Sequence, residues 1–136
     1  MSEPARTMFD ELGADQLRRI IDVFVDRVFD DLMIGYLFRD ASRARIKEME
    51  YQHAARLLGG PVRYEGRPLR EAHAAHPIFA GHFNRRREIL RLTLVEHGVP
   101  PAIVEHWIAQ TEALRAQITR DSDGRCEPEA VEPAKR

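Results

Sequence analysis

The segment LRRIIDVFVDRVFDDL, residues 17–32, sets the fold class because its apolar residues recur every three or four positions. This spacing places them on one side of an α-helix, and Asp15 in front of the segment is a suitable N-cap. We therefore expect one amphipathic helix with a buried apolar stripe. The stripe consists of Leu17, Ile20, Ile21, Phe24, Val28 and Leu32.

The rest of the chain also shows helical spacing. A helix that starts after Ser42 should end before Gly59-Gly60-Pro61, where two flexible glycines precede a helix breaker. Prolines bound the remaining segments, so we predict a short helix over 68–76, a longer one over 79–98 and a last one from 100. No segment alternates polar and apolar residues like a strand. The sequence therefore predicts an all-α fold.

Length and composition indicate one globular domain. The chain has 136 residues, of which 43% are hydrophobic and 32% charged, as in ordinary folded proteins. The last residues, DSDGRCEPEAVEPAKR, replace apolar side chains with turn formers and charges. We expect a single domain over residues 1–120, followed by a flexible tail over 121–136.

Charge and cysteine content exclude several classes of partner. The formal net charge is -1, which provides no basic field for nucleic acid, and the single cysteine cannot form an intrachain disulfide or a thiolate cluster. No apolar run reaches the length of about 20 residues that a membrane span needs, and residues 1–13 lack the apolar core of a signal peptide. We therefore expect a cytoplasmic protein that binds neither nucleic acid nor membranes.

Three polar side chains interrupt the apolar stripes. Glu50 and His53 lie on the helix that starts after Ser42, beside the stripe of Ile46, Met49 and Leu57. Arg86 follows Phe83 by three residues on the longer helix. A buried unpaired charge costs several kcal/mol, so these groups should pair with each other, with water or with a charged ligand. In the alternative, the helices rotate slightly and all three side chains reach solvent.

Histidines cluster in the middle of the chain, where His73, His76 and His82 lie close in sequence and His53 is a further candidate. This spacing, without carboxylates in register, is a weak indication of zinc. The sequence contains no GxSxG, Walker-type glycine loop or HExxH motif. Hydrolase and nucleotide-binding functions therefore have no support.

Four motifs, in order from about Met8 to Ile118, resemble the truncated haemoglobins. The opening MFDELG resembles the start of the family, and IIDVFVDRVFDDLMIGYLF resembles its second helix up to the phenylalanine on the haem face, here Phe38. LLGGPVRYEGRPLREAH and HAAHPIFAGHF resemble the segments before and after the histidine that binds iron, here His73. The interval of five residues from His73 to Ile78 selects His73 over the neighbouring histidines.

The resemblance implies a 2-on-2 helical sandwich that binds haem b (iron protoporphyrin IX), with His73 as the proximal iron ligand. Arginines at 43, 45, 63, 67 and 70 are available for the haem propionates, and the sequence does not choose among them. The haem-contacting positions that the resemblance implies are Phe24, Val25, Phe38, Ile46, Met49, Glu50, His53, Tyr64, Leu69, His73, Ile78 and Phe83.

The chain departs from the family on the ligand side of the haem. Val25 stands where most members place a tyrosine whose hydroxyl binds the ligand, and Glu50, His53 and Arg86 fall around the same side. We expect Arg86 and Glu50 to form a buried ion pair. His53 then has three alternative roles: hydrogen-bond donor to the ligand, sixth iron ligand or acid-base group. These three residues are the candidate catalytic groups.

The leading functional hypothesis is a haem protein that binds a small diatomic or anionic ligand and carries out redox chemistry on peroxide or nitrogen oxides, with a reductase as partner. One alternative is a globin that only binds or senses a diatomic gas. Another is a globin-fold domain that has lost haem. The sequence leaves the physiological ligand and the oligomeric state open.

Overall fold

Helices make up all regular structure in the part of the chain that the computed structural model describes, which comprises residues 6–63, 65 and 79–115. This confirms the predicted all-α fold. The predicted short helix over 68–76 and the tail over 121–136 lie outside these residues. The elements are α1 (Met8–Leu12), α2 (Ala14–Asp30), a 3₁₀ helix (Gly35–Phe38), α3 (Arg43–Leu57), α4 (Ala80–Glu96) and α5 (Pro101–Ala113).

The core forms where α2 packs against both α3 and α4, while α4 also packs against α5. The apolar stripe predicted on α2 is buried from Leu17 to Val28, each residue being 4% exposed or less. Val25 is buried beside the stripe, and Ile103 and Trp107 of α5 belong to the same buried core. None of the described helices has both the length and the apolar character needed to cross a membrane.

The prediction that Leu32 belongs to the stripe is wrong, because α2 ends at Asp30 and Leu32 is fully exposed. The Asp31 carboxylate accepts hydrogen bonds from the backbone N–H groups of Met33 and Ile34, at 2.9 and 3.1 Å, and so stabilises a turn. Gly35 then approaches the carbonyl of Phe29, where an added Cβ would lie 2.4 Å from the oxygen. Only glycine therefore fits at position 35, where the chain turns back against the end of α2.

The prediction of Asp15 as the N-cap is also wrong. Gly13, with a positive φ of 89°, precedes α2, and Asp15 is the second helical residue. The sequence interpretation missed α1, which Thr7 and Asp10 stabilise by a capping box of two hydrogen bonds at 3.0 and 3.2 Å. Asp15 still lies in the first turn of α2, where a negative charge is favourable.

The predicted boundaries of α3 are confirmed. The Ser42 hydroxyl accepts the backbone N–H of Arg45 at 3.2 Å, and α3 ends at Leu57, two residues before Gly59 with φ 87°. Gly60 lies against the Phe9 ring, which a Cβ would approach to 2.7 Å. The end of α3 is thus held against α1.

Ion pairs join the exposed faces of α2 and α3. Asp22, Asp26 and Asp30 recur every four residues on α2, so they share one face. Lys47 contacts Asp22 and Asp26 at 2.7 and 3.0 Å, and Arg43 contacts Asp26 and Asp30 at 3.1 Å. These alternating contacts fix the register of the two helices.

Asp31 joins the end of α2 to α4 and should stabilise the fold in a pH-dependent way. Its Oδ1 accepts Arg85 Nε and Nη2 at 3.0 and 2.7 Å. The bonds from Arg85, followed by those from the backbone of Met33 and Ile34, hold the pKa of Asp31 below its usual value of 3.8, although burial acts in the opposite direction.

We predict that Asp31→Asn lowers the free energy of unfolding by about 1 kcal/mol at neutral pH, because a charged hydrogen bond to a half-exposed arginine is lost. The folded-state pKa is the lower one, so this stabilisation is complete above the unfolded-state pKa and disappears as the pH falls through the folded-state pKa. Urea unfolding of both proteins from neutral pH to about pH 3 measures the difference. A difference in unfolding free energy that does not change with pH would contradict this account. So would an equal loss of stability in Asp40→Asn, which changes an exposed carboxylate.

Candidate functional site

The candidate site lies among α2, α3, α4 and the end of the 3₁₀ helix. Phe24 and Val25 of α2 and Phe83 of α4 are each 2% exposed or less. Phe38 at the end of the 3₁₀ helix and Ile46 of α3 are partly exposed and pack against the core. Met49 of α3 is also partly exposed. Phe24, Val25, Phe38 and Ile46 thus form an apolar wall from three elements.

An ion pair lies beside Phe24 and confirms the expected pairing of Arg86 with Glu50, but the pair is partly exposed and not buried as predicted. Arg86 Nη2 contacts both carboxylate oxygens of Glu50 at 2.9 Å, and the two side chains are 24% and 27% exposed. The guanidinium carbon lies 5.0 Å from the centre of the Phe24 ring, an arrangement that favours a cation. The alternative in which these side chains extend into solvent is therefore wrong for Arg86 and Glu50.

Arg86 keeps hydrogen-bonding capacity despite this pair. Only its Nη2 donates to Glu50, and among the described residues its Nε and Nη1 have no hydrogen-bond partner. A guanidinium has five N–H donors in one plane. Arg86 therefore keeps further donors without a partner among the described residues, while Glu50 balances its charge.

His53 lies one turn after Glu50 on α3, and both charges of the ion pair affect its pKa. Burial lowers the pKa of His53 below its usual value of 6.5, Glu50 acts to raise it, and Arg86 and Arg56 act to lower it. The imidazole is therefore neutral at pH 7. A neutral imidazole has one donor and one acceptor nitrogen, which suits proton exchange with a ligand.

Several predicted site residues lie outside the described residues. These are His73, Tyr64, Leu69 and Ile78, as well as Arg67 and Arg70 among the propionate candidates. Of the other candidates, Arg43 is engaged by Asp26 and Asp30, whereas Arg45 and Arg63 are exposed. Arg43 is thus the least suited of the described arginines to bind a propionate.

Sequence interpretation missed a hydrogen-bonded group beside the site. His82, which was considered only as a zinc ligand, contacts Tyr36 of the 3₁₀ helix and the backbone of Phe79. No three His, Cys, Asp or Glu side chains converge within the part of the chain described, and His73 and His76 lie outside it. Helical spacing gave no signal for this group because its members come from separate elements.

Comparison with known proteins identifies the family. Residues 7–120 match the family model of the bacterial-like globins. A group 1 truncated hemoglobin of Synechocystis sp. is 32% identical over 79% of this chain and 88% of its own length. The chain belongs to the truncated haemoglobins.

Solved structures of truncated haemoglobins share its fold. The Fe(III) form of truncated hemoglobin from Tetrahymena pyriformis is 25% identical, with a TM-score of 0.79, over 85% of this chain and 100% of that one. A hemoglobin from the thermophilic phototrophic bacterium Chloroflexus aurantiacus is 30% identical, with a TM-score of 0.75 and the same coverage. The predicted family and 2-on-2 globin fold are confirmed, and the chain is a haem-binding globin that binds a small ligand.

We predict opposite effects of the two ion-pair residues on His53 in this truncated haemoglobin. Glu50→Gln should lower the pKa of His53 further because it removes a nearby negative charge, whereas Arg86→Met should raise it. An NMR titration of the His53 ring protons, assigned with His53→Gln, measures both changes. Arg56→Gln, which removes the second nearby cation, is the control. It should raise the pKa of His53 by less than Arg86→Met does. Shifts of the same sign in the Glu50 and Arg86 variants would contradict the assigned causes.

Proposed function

We propose that this truncated haemoglobin binds haem b through His73 and uses Arg86, Glu50 and His53 on the opposite side to bind and convert a small anionic ligand. The Glu50–Arg86 ion pair carries the proposal, since it places a partly buried charged donor group beside the apolar Phe24 ring. Charged pairs in such surroundings gain little stability over apolar side chains. A role in ligand binding explains why this chain has an ion pair between Glu50 and Arg86.

Apolar side chains among the described residues support a haem group at this position. Phe24, Phe38, Ile46 and Phe83 provide apolar contacts for a flat, apolar ring, and they come from four separate elements. When bound, the haem iron supplies a coordination position for a small ligand and a centre for one-electron chemistry. The proposed proximal ligand, His73, is supported by the family resemblance and by its interval to Phe83.

The ligand side of the site takes its donor from α4. Val25 of α2 has no hydroxyl and is buried in the core, so it can only contribute an apolar contact. Arg86 instead offers its Nε and Nη1 groups, and Glu50 holds the guanidinium in place. Hydrogen bonds from a charged donor to an anion are about twice as strong as those between neutral groups. This arrangement favours anionic ligands over neutral ones.

His53 completes the proposed chemistry as an acid-base group. Its lowered pKa leaves the ring neutral at pH 7, so it can accept a proton from a protonated ligand such as hydrogen peroxide and return it in a later step. This supports redox chemistry on peroxide or nitrogen oxides, with a reductase as electron donor. Stable binding without consumption of the ligand would instead support a gas-binding or sensing function.

We predict that His73→Ala abolishes the normal coordination of iron, because the proposed proximal imidazole is lost. Absorption spectra of haem-reconstituted protein, in the ferric and ferrous states, should show reduced pigment content or altered coordination bands. His76→Ala is the matched control and should behave like wild type. Unchanged spectra for His73→Ala would contradict the assignment, and the absence of a Soret band in wild type would select the globin that has lost haem.

We further predict that Arg86 discriminates between anionic and neutral ligands. In the background of Glu50→Gln, which prevents an unpaired carboxylate, Arg86→Leu should weaken ferric azide binding about tenfold or more, because charged hydrogen bonds contribute roughly 1.5–3 kcal/mol. Ferrous carbon monoxide affinity should change far less. Optical titration of both ligands with both proteins measures the contrast.

Equal losses for azide and carbon monoxide would exclude charge recognition by Arg86. His53→Ala separates binding from turnover in the same experiment. It should leave azide affinity close to that of wild type and slow the consumption of peroxide, because only the proton exchange is removed. Unaltered peroxide turnover would remove His53 from the mechanism.

A further inference from the structure

A cavity of about 430 Å³ opens at the end of α2, between the 3₁₀ helix and the start of α3. This volume lies within the range of roughly 300–1,000 Å³ that small-molecule sites occupy. The cavity shares Phe38 with the apolar wall of the proposed haem site, whereas Phe24, Val25 and Ile46 of that wall do not line it. It is therefore a second candidate binding site.

Aromatic rings form the apolar part of the cavity. Phe29 and Phe38 stack, with their ring centres 5.1 Å apart and 30° between the ring planes. Tyr36 is 53% exposed and lines the cavity, and its hydroxyl lies 3.1 Å from His82 Nε2, which restrains the ring. Gly35 brings the 3₁₀ helix against the end of α2 through its close approach to the Phe29 carbonyl. Three restrained rings thus offer contacts to a flat ligand.

Two guanidinium groups also line the cavity, and only one of them is balanced by carboxylates. Arg43 is paired with Asp26 and Asp30 at 3.1 Å. Arg39 is exposed, and within the described part of the chain its side chain has neither a hydrogen bond nor an ion pair. Its neighbour Asp40 is exposed as well and does not pair with it. One unbalanced cation therefore lies at the opening of an aromatic cavity.

We propose that this cavity binds a small aromatic carboxylate, whose ring packs among Phe29, Tyr36 and Phe38 while its carboxylate pairs with Arg39. A guanidinium matches a carboxylate in charge and in planar geometry. A cationic ligand is disfavoured because both charged side chains that line the cavity are arginines. A neutral aromatic molecule gains only the ring contacts. The inference does not rest on the proposed function, since none of these contacts involves haem.

The test is an NMR titration of the ferrous carbonmonoxy protein with 3-phenylpropionate. Carbon monoxide occupies the iron in this form, so the carboxylate cannot bind there. Saturable shifts are expected at the ring protons of Phe29, Tyr36 and Phe38. The neutral 3-phenylpropionamide should bind about fivefold more weakly, which is the upper range for an exposed ion pair. Hexanoate carries the same charge without a ring and should also bind more weakly than 3-phenylpropionate.

Two exposed arginines provide a variant and its matched control. Arg39→Gln should remove the preference for the acid over the amide, because the pairing cation is lost, and should leave the affinity for the amide unchanged. Arg45→Gln removes a cation that does not line the cavity, so it should retain the wild-type preference. Both substitutions change exposed side chains, and the NMR spectra of the variants show whether each is folded.

Absence of saturable shifts at the three rings, or equal affinities of the acid and the amide for wild type, overturns the proposal. So does an equal loss of preference in Arg39→Gln and Arg45→Gln, because it would indicate general attraction of anions to the surface. Equal affinity for hexanoate overturns the aromatic ligand class. If wild type takes up no haem, the proposed function fails instead, and the same titration of the haem-free chain still tests the cavity.

Discussion

The partly exposed guanidinium of Arg86 lies against the Phe24 ring and pairs with Glu50, and these two contacts link three helices. A cation at such a position must be paired, and Glu50 of α3 supplies the partner at 2.9 Å. Phe24 of α2 covers the guanidinium at 5.0 Å. The pair therefore ties α3 to α4, and the contact with Phe24 adds α2. The geometry of the candidate site follows from this contact.

Helical spacing predicted which residues are buried better than it predicted where helices end. Leu17 to Val28 form the expected stripe, and the turn formers after Leu57 end α3 as expected. Leu32 continued the spacing but is exposed, because the Asp31 carboxylate replaces the next helical hydrogen bonds. Apolar periodicity reports packing, whereas helix ends depend on local hydrogen bonds between side chain and backbone. Thr7 and Gly13 at the two ends of α1 illustrate the same limit.

Contacts between separate elements were predictable only where burial demanded them. The charge of Arg86 on an apolar face required a partner, and Glu50 was the matching charge on another apolar face. Exposed groups carry no such requirement, so Arg43 was an equal candidate for a propionate until the structure placed it against Asp26 and Asp30. The position of His82 at the third residue of α4 likewise depends on a helix start that the sequence located only approximately.

In the proposed site, a guanidinium on α4 replaces a hydroxyl on α2, and this changes which ligands the site can distinguish. A tyrosine hydroxyl stabilises a polar ligand through one neutral hydrogen bond, whereas Arg86 adds a positive charge. Glu50 reduces that charge but occupies only Nη2, so a ligand need not displace the carboxylate to reach the remaining donors. An anion therefore gains attraction without breaking the ion pair, while a neutral ligand gains only the hydrogen bond. The proposed change of ligand preference therefore requires no change of the globin fold, because the donor comes from another helix.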